Sequence, residues 1–188
     1  MNIIDELSWR GAVNQMTEEE NLRKLTEEKS ISLYCGVDPT GDSLHIGHLI
    51  PFMMLKRFAM AGHHPYIVIG GGTGAIGDPS GRKTERQLQT METIQANAEK
   101  LKAQFTHLFG DDQNITFVNN YDWLSKISLL DFLRDYGKLF PINIMLAKEV
   151  VASRLENGIS FTEFTYQILQ AVDYECNNRK RISISENL

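Results

Sequence analysis

An apolar strand signal from Ile31 to Val37 runs into Asp38-Pro39-Thr40-Gly41-Asp42-Ser43 and then into a helix that carries His45, Gly47 and His48 on its first turns. No other stretch constrains the fold as tightly. The alternating apolar and β-branched residues place the strand inside a sheet. Asp42 or Ser43 is positioned to cap the helix by accepting from its free N–H groups, and Gly62 to stop it. Such an N-terminus favours anions, through its unpaired backbone donors and its dipole. Histidines three apart share one helix face, and Gly47 between them leaves room for a flat base or ribose against the backbone. The junction reads as a site for ATP phosphates.

His-x-x-His on a helix face also suits a metal pair. A structural zinc, however, takes four nitrogen or sulfur ligands, and no cysteine or third histidine lies close in sequence, so no protein-bound metal is expected. An isolated pair of histidines could equally be solvated or satisfied in the core; the Pro-Thr-Gly-Asp-Ser turn before it argues for the anion site.

The rest of the chain alternates strand and helix signals without repeats. Helices are predicted over Ile3 to Gln15, Thr17 to Thr26 with Thr17 as N-cap, and Leu44 to Ala61, where Pro51 removes one hydrogen bond and should bend the helix. Strand Tyr66 to Gly70 completes a βαβ unit and hence a parallel sheet. Helix Thr90 to Leu108, strand Ile115 to Val118, and helices Leu129 to Tyr136, Ile142 to Glu156 and Thr162 to Glu175 follow. The pattern implies an α/β fold with a Rossmann-type parallel sheet and flanking helices.

Gly72-Thr73-Gly74-Ala75-Ile76-Gly77 matches the dinucleotide fingerprint G-x-G-x-x-G directly after a strand. That fingerprint needs a helix to open inside the glycine run, whereas Asp78-Pro79-Ser80-Gly81 is turn chemistry, which argues against a dehydrogenase. The alternative is a flexible glycine floor beside a pocket, with Asp78 at the C-terminal edge of the strand, where open α/β sheets bind ligands and where a carboxylate can hold an ammonium group.

With 188 residues, 42% of them hydrophobic, the chain can bury one sizeable core. It has no apolar run long enough to span a bilayer and no signal peptide, so a cytoplasmic protein without membrane partners is expected. Cys35 and Cys176 are too few for a disulfide framework and are expected as thiols. The net charge of −5, from 24 acidic and 19 basic side chains, advertises no polyanion partner.

The junction at 38–49 resembles the HIGH signature of class I aminoacyl-tRNA synthetases, and its surroundings are similar to bacterial tyrosyl-tRNA synthetases. Tyr34-Cys35-Gly36-Val37-Asp38-Pro39-Thr40 resembles that family's first strand, Ile76 to Arg82 its following loop, and Ile159 to Asp173 its amino-acid pocket helix. The likeness covers residues 1–174, which it implies are the N-terminal part of a Rossmann-type catalytic domain. The resemblance implies that Tyr34 and Asp173 bind the phenolic hydroxyl of substrate tyrosine and that Asp78, Tyr166 and Gln170 hold its α-ammonium group. Spacing agrees, because Tyr166, Gln170 and Asp173 fall at i, i+4 and i+7 on one face of one helix. Ordinary amphipathicity could give a stripe too. Polar members amid Phe164, Ile168, Leu169 and Val172 nevertheless make a buried polar seam that needs partners. An aspartate and a tyrosine aimed at a hydroxyl would be left unpaired by phenylalanine, a mode of discrimination for which the tyrosine enzymes are themselves the standard example.

The implied reaction joins tyrosine and ATP into tyrosyl adenylate and pyrophosphate, then passes the tyrosyl group to tRNA(Tyr). The attacking carboxylate is already an anion near neutral pH, so positioning and charge stabilisation must do most of the work. By resemblance, Thr40 and His45 donate to the reacting phosphates, while His48 and Gly47 contact the ribose and base side. Asp38 binds the ribose or helps place the amino acid, Cys35 and Gly36 line the ATP site, and Arg82, Lys83 and Arg86 form either a basic clamp over pyrophosphate or an ordinary solvated charge cluster. ATP enters as a substrate, with Mg2+ as its counter-ion.

Beyond Tyr174 the resemblance stops, and residues 175–188 read as a divergent tail on a truncated chain, without the lysine loop and tRNA-binding domains of the family. Each preorganised donor lost costs on the order of 2.7–4 kcal/mol of transition-state stabilisation, so activity is expected to be impaired. Two other classes fit parts of the sequence. A smaller HxGH nucleotidyltransferase explains the ATP motif but not the tyrosine set, and a non-catalytic binding or dimerising module explains the missing half. The family pairs into homodimers through the region matching Leu129 to Phe164; Phe132, Phe140, Phe161 and Phe164 would serve an interface or a core equally well.

Overall fold

The computed structural model describes residues 2–78, 87–110, 114–156 and 158–185, with 177–185 described by backbone alone. The chain divides into two compact units. The first comprises Met1–Val37, Ser43–Ile69 and Lys100–Val118; the second comprises Asp38–Asp42, Gly70–Glu99 and Asn119–Leu188.

The first unit carries the sheet. Strands β1 (Ser32–Val37), β2 (His64–Ile69) and β3 (Thr116–Asn119, whose last residue belongs to the second unit) lie in the order β1-β2-β3, with β1 and β2 parallel and Tyr34 opposite Tyr66. The crossover between them is α3 (Ile46–Met60), as parallel pairing requires. Phe52, Leu55 and Ala59 of α3 pack with Val37, Ile67 and the C-terminal half of α5 (Met91–Phe109), contributed by Leu101, Phe105 and Phe109. Phe52 and Phe105 meet at 4.4 Å between ring centroids. Burial of each such side chain contributes about 1.5–3 kcal/mol. A second cluster joins Ile3, Ile4 and Leu7 of α1 (Ile3–Trp9) to Phe58.

Helix ends account for most departures from the sequence expectations. α1 stops at Trp9, not Gln15, because Gly11 follows at φ +67. α2 (Glu19–Glu28) takes Glu18, in the left-handed region, as its N-cap in place of Thr17. α3 begins at Ile46 with His45 as the N-cap residue, not Asp42 or Ser43. It ends as expected at Gly62, φ +88, where the His63 N–H reaches back to Phe58 O at 3.0 Å. Pro51 lies inside α3, which remains helical through it.

In the second unit a four-residue helix, α4 (Thr73–Ile76), opens inside the glycine run, where none was expected, and Gly77 at φ +91 ends it after one turn; the turn expected over Asp78 to Gly81 lies, but for Asp78, outside the described residues. A Cβ on Gly70 would collide with the side chains of Asp38 and Thr73, and one on Gly72 would lie 2.9 Å from Leu124, so the glycines are there for close approach. A short helix, α6 (Tyr121–Leu124), follows β3. The helix expected over 129–136 becomes α7 (Leu129–Asp131), a π-helical turn at Phe132–Tyr136 and a 3-10 turn at Gly137–Leu139. The helix expected over 142–156 breaks at Lys148 into α8 (Ile142–Ala147) and α9 (Glu149–Ala152). Met145 and Val151, both buried, would sit roughly 120° apart on an unbroken helix of 3.6 residues per turn. The last helix, α10 (Phe161–Ser185), begins one residue early and runs on past Glu175, since no glycine or proline interrupts 175–185. Among the described residues no helix is long and apolar enough to cross a membrane.

Candidate functional site

Two groups of side chains, one in each unit, hold the residues singled out in the sequence. In the first unit the His45 and His48 rings stack at 3.7 Å between centroids and 17° between planes. The His48 N–H donates to His45 O at 2.9 Å, and the His45 N–H to Nδ1 of His48 at 3.3 Å. An Nδ1 that accepts leaves the His48 proton on Nε2. Burial, aided by His45, lowers the His48 pKa and favours the neutral ring, which can donate a hydrogen bond without carrying a fixed charge. A Cβ on Gly47 would approach the His45 ring to 3.1 Å, so glycine lets the first turn lie under that ring. On β1, Tyr34 and Cys35 are half-buried and Gly36 is exposed, and burial raises the Cys35 pKa, holding it as a thiol.

In the second unit one chain of hydrogen bonds links four elements. Tyr166 on α10 donates its hydroxyl to Asp38 Oδ2 at 2.9 Å, and the Thr73 hydroxyl donates to Asp38 Oδ1 at 2.6 Å. Asn120 Nδ2 donates to Thr73 Oγ1 at 2.9 Å and to Asp173 Oδ2 at 3.0 Å, while its Oδ1 accepts the Gly72 N–H at 2.7 Å. Trp123 Nε1 on α6 donates to Asp173 Oδ1 at 2.9 Å. Both protons of the Asn120 amide are therefore used, which fixes its orientation and that of the Asp173 carboxylate.

Electrostatics follow from that chain. Burial pushes the Asp173 pKa up to about 6; the donors Asn120 and Trp123 restrain the rise and the Asp38 charge adds to it. Asp173 is thus an ionised acceptor at neutral pH although it is only 5% exposed. Each of its oxygens already takes one hydrogen bond and keeps a lone pair for another. Burial, with the carboxylates of Asp38, Asp78 and Asp173 nearby, drives the Tyr166 pKa far above the usual phenol range, so Tyr166 stays a donor.

Asp78, Tyr166 and Gln170 line one cavity of about 190 Å³, with Glu163 and Gln167 from the same face of α10. These are the three residues expected to hold an ammonium group, and the structure brings them together. Thr40 is exposed, its carbonyl held by Gln89 Nε2 at 3.0 Å. Arg82 and Arg86, with Lys83, lie outside the described residues. Among the described residues no group of three or more histidine, cysteine, aspartate or glutamate side chains is arranged to hold a metal.

Sequence reasoning missed Thr73, Asn120 and Trp123, which set the state of Asp38 and Asp173. One signal was available for Asn120: it directly follows β3, and polar groups at the C-terminal ends of parallel strands form ligand sites in open α/β sheets. It also missed the buried ion pair of Arg154 Nη2 with Glu163 Oε2 at 2.8 Å.

A stacked histidine pair opening a crossover helix, and an aspartate held by two donors on the last helix, are set on an α/β domain with a parallel sheet. The family model for class I tRNA synthetases of the W and Y type matches residues 26–184, and the chain belongs to that family. Within it, similarity is to the tyrosine enzymes. The chain is 78% identical over 173 residues to the tyrosine–tRNA ligase of Latilactobacillus sakei, covering 92% of this chain and 41% of that one. It is 72% identical over 180 residues to tyrosine–tRNA ligase 1 of Enterococcus faecalis, covering 96% and 43%. It thus spans about two-fifths of the length of these relatives. Among solved structures it is similar to the C-terminally truncated mitochondrial tyrosyl-tRNA synthetases of Aspergillus nidulans and Coccidioides posadasii. Their TM-scores are 0.83 and 0.81, at 32% and 31% identity, covering 92% and 96% of this chain and 52% of each of those. The match bears out the α/β class I catalytic fold expected from the sequence and leaves the smaller nucleotidyltransferase without support.

Proposed function

We propose that this chain forms the tyrosine- and ATP-binding part of a tyrosine–tRNA ligase, which joins tyrosine to ATP as tyrosyl adenylate and passes the tyrosyl group to tRNA(Tyr). The observation that carries the reading is the relay that holds Asp173 ionised and oriented on the same helix as Tyr166 and Gln170. An oriented carboxylate accepts a phenolic O–H, with Tyr34 assigned to the same hydroxyl, and phenylalanine offers no proton for that bond.

Asp78, Tyr166 and Gln170 take the ammonium group. The N-terminal N–H groups of α3 suit an ATP oxygen, with Thr40 and His45 at the phosphates, the neutral His48 and Gly47 on the ribose and base side, Asp38 at the ribose or the amino acid, and Cys35 and Gly36 lining the ATP site. Arg82 and Arg86 serve pyrophosphate, and Mg2+ accompanies ATP as its counter-ion. The adenylation step needs no proton removed from the tyrosine carboxylate, so these groups act by binding, orienting and donating hydrogen bonds. The ligase works in the cytoplasm as a homodimer. Exposed Leu129, Leu130, Leu139, Ile142 and Phe161 in the second unit give that pairing an apolar surface.

Thermal unfolding with each amino acid at matched concentration tests the reading. L-tyrosine should raise the melting temperature and L-phenylalanine should not, by the linkage of ligand to the folded state. Equal shifts, or none, would remove the tyrosine assignment.

A further inference from the structure

We propose that the buried Arg154–Glu163 ion pair is a positioning device that sets the rotation of α10, and through it the placement of Tyr166 and Gln170 around an ammonium group. The proposal rests on the tyrosine-binding reading above.

Ser160-Phe161-Thr162-Glu163 has the S-x-x-E spacing of a capping box, in which the glutamate would turn back to the N-cap. The serine does its share, its Oγ accepting the Glu163 N–H at 3.2 Å and its carbonyl accepting the Phe164 N–H at 2.9 Å. The glutamate side chain instead points inward to Arg154, and the two side chains are 1% and 3% exposed. Arg154 Nη2 also reaches Gly158 O at 3.4 Å. Among the described residues Glu163 Oε1 and Arg154 Nε and Nη1 have no hydrogen-bond partner.

A buried pair with unmet hydrogen bonds is a poor source of stability, since apolar residues of similar volume usually do as well or better. What the pair supplies is a directional tie at the first turn of α10. At the other end of the pocket face, Asn120 and Trp123 tie Asp173. Tyr166 and Gln170 lie between the two ties, on the face that Glu163 begins. Side chains on a helix reach roughly 6 Å from its axis, so a turn of about 10° displaces them by about 1 Å. A displacement of that size is comparable to the tolerance of a hydrogen bond, so it weakens the contacts of both residues with an ammonium group.

The test uses two ligands that differ only at the ammonium group, L-tyrosine and 3-(4-hydroxyphenyl)propionate, titrated calorimetrically into the chain and into the double variant Arg154→Met with Glu163→Leu. The unsubstituted chain should prefer tyrosine. The double variant should melt within a few degrees of it and lose at least tenfold of the preference for tyrosine; because Glu163 itself lines the cavity, the Arg154→Lys variant below, which leaves that carboxylate in place, is the one that separates positioning from loss of its charge. General loosening of the fold would weaken both ligands alike, so the ratio separates positioning from stability. A second variant, Arg154→Lys, keeps the charge and gives up the fork of donors; it should lose a smaller part of the ratio, threefold or more, and decides the matter if the double variant does not fold. An unchanged ratio in the variant that folds overturns the positioning role alone. No preference in the unsubstituted chain overturns the tyrosine-binding reading, and this role with it.

Discussion

Trp123→Phe removes a single N–H from Asp173 and leaves an aromatic ring in its place, which makes the effect of one donor on a buried carboxylate measurable. Asp173 titrates at about 6 in the folded chain against 3.8 for an unperturbed carboxyl group. Holding it ionised therefore costs the fold about 3 kcal/mol above pH 6, at 1.36 kcal/mol per pKa unit. The sign follows from a raised folded pKa: the contribution is fully present below 3.8 and is lost as pH rises through about 6. The Trp123 hydrogen bond limits that loss, because a bond to a charged acceptor is worth about 1.5–3 kcal/mol and one to a neutral acceptor about 0.5–1.5. Their mid-range difference, about 1.3 kcal/mol, is close to the 1.36 kcal/mol of one pKa unit, so the variant should titrate near 7 and keep losing stability over a pH range where the unsubstituted chain has levelled off. Urea unfolding of both proteins at pH 5 and pH 8 reads this directly. The packing change from indole to phenyl is the same at both pH values and cancels. The destabilisation by Trp123→Phe should thus be about 1.4 kcal/mol larger at pH 8 than at pH 5. Equal destabilisation at the two pH values would refute the claim that Trp123 acts on the charge of Asp173.

Gly70→Ala should destabilise by about 1–3 kcal/mol, because the new methyl group meets Asp38 and Thr73, and it should weaken tyrosine binding with them; unfolding midpoint and ligand titration check both. His63 is 4% exposed, accepts the Ile31 N–H at Nδ1 at 3.3 Å, and is held below the usual histidine pKa by burial and by His64. Its folded pKa is depressed, so its contribution is present above about 6.5 and is lost as pH falls through the folded value; His63→Gln should lack this component in a comparison of midpoints between pH 7.5 and 5. Gly62→Ala, at φ +88, should cost about 1–2 kcal/mol in the same unfolding assay, with tyrosine affinity unchanged.

What could be read from the sequence was what lies within one element. Tyr166, Gln170 and Asp173 share a helix face by spacing alone, and the strand-turn-helix junction at 31–49 announces itself through local chemistry. Ends were harder, because a cap is chosen among neighbouring candidates by packing: His45 starts α3 although Asp42 and Ser43 are the better capping residues. The helix that opens inside the glycine run, where none was expected, depends on packing too. Gly70 and Gly72 are required by Asp38, Thr73 and Leu124, contacts that only the folded chain creates.

The partners of the pocket residues show why the rest stayed hidden. Asp173 on its own, 5% exposed, would drift toward the neutral acid and become a donor as readily as an acceptor. Asn120 and Trp123, about fifty positions away in the chain, keep it ionised near neutral pH, and Asn120 simultaneously fixes Thr73, which with Tyr166 fixes Asp38. A spacing rule sees Asp173 and Tyr166 as two polar residues on one stripe. In the fold they are the two ends of one polarised chain, with a carboxylate aimed by donors at one end and a phenol committed as a donor at the other. On the proposed reading, selectivity for a hydroxyl therefore depends on residues that never touch it, and a substitution at Asn120 should disturb both ends together where a substitution at Trp123 disturbs one.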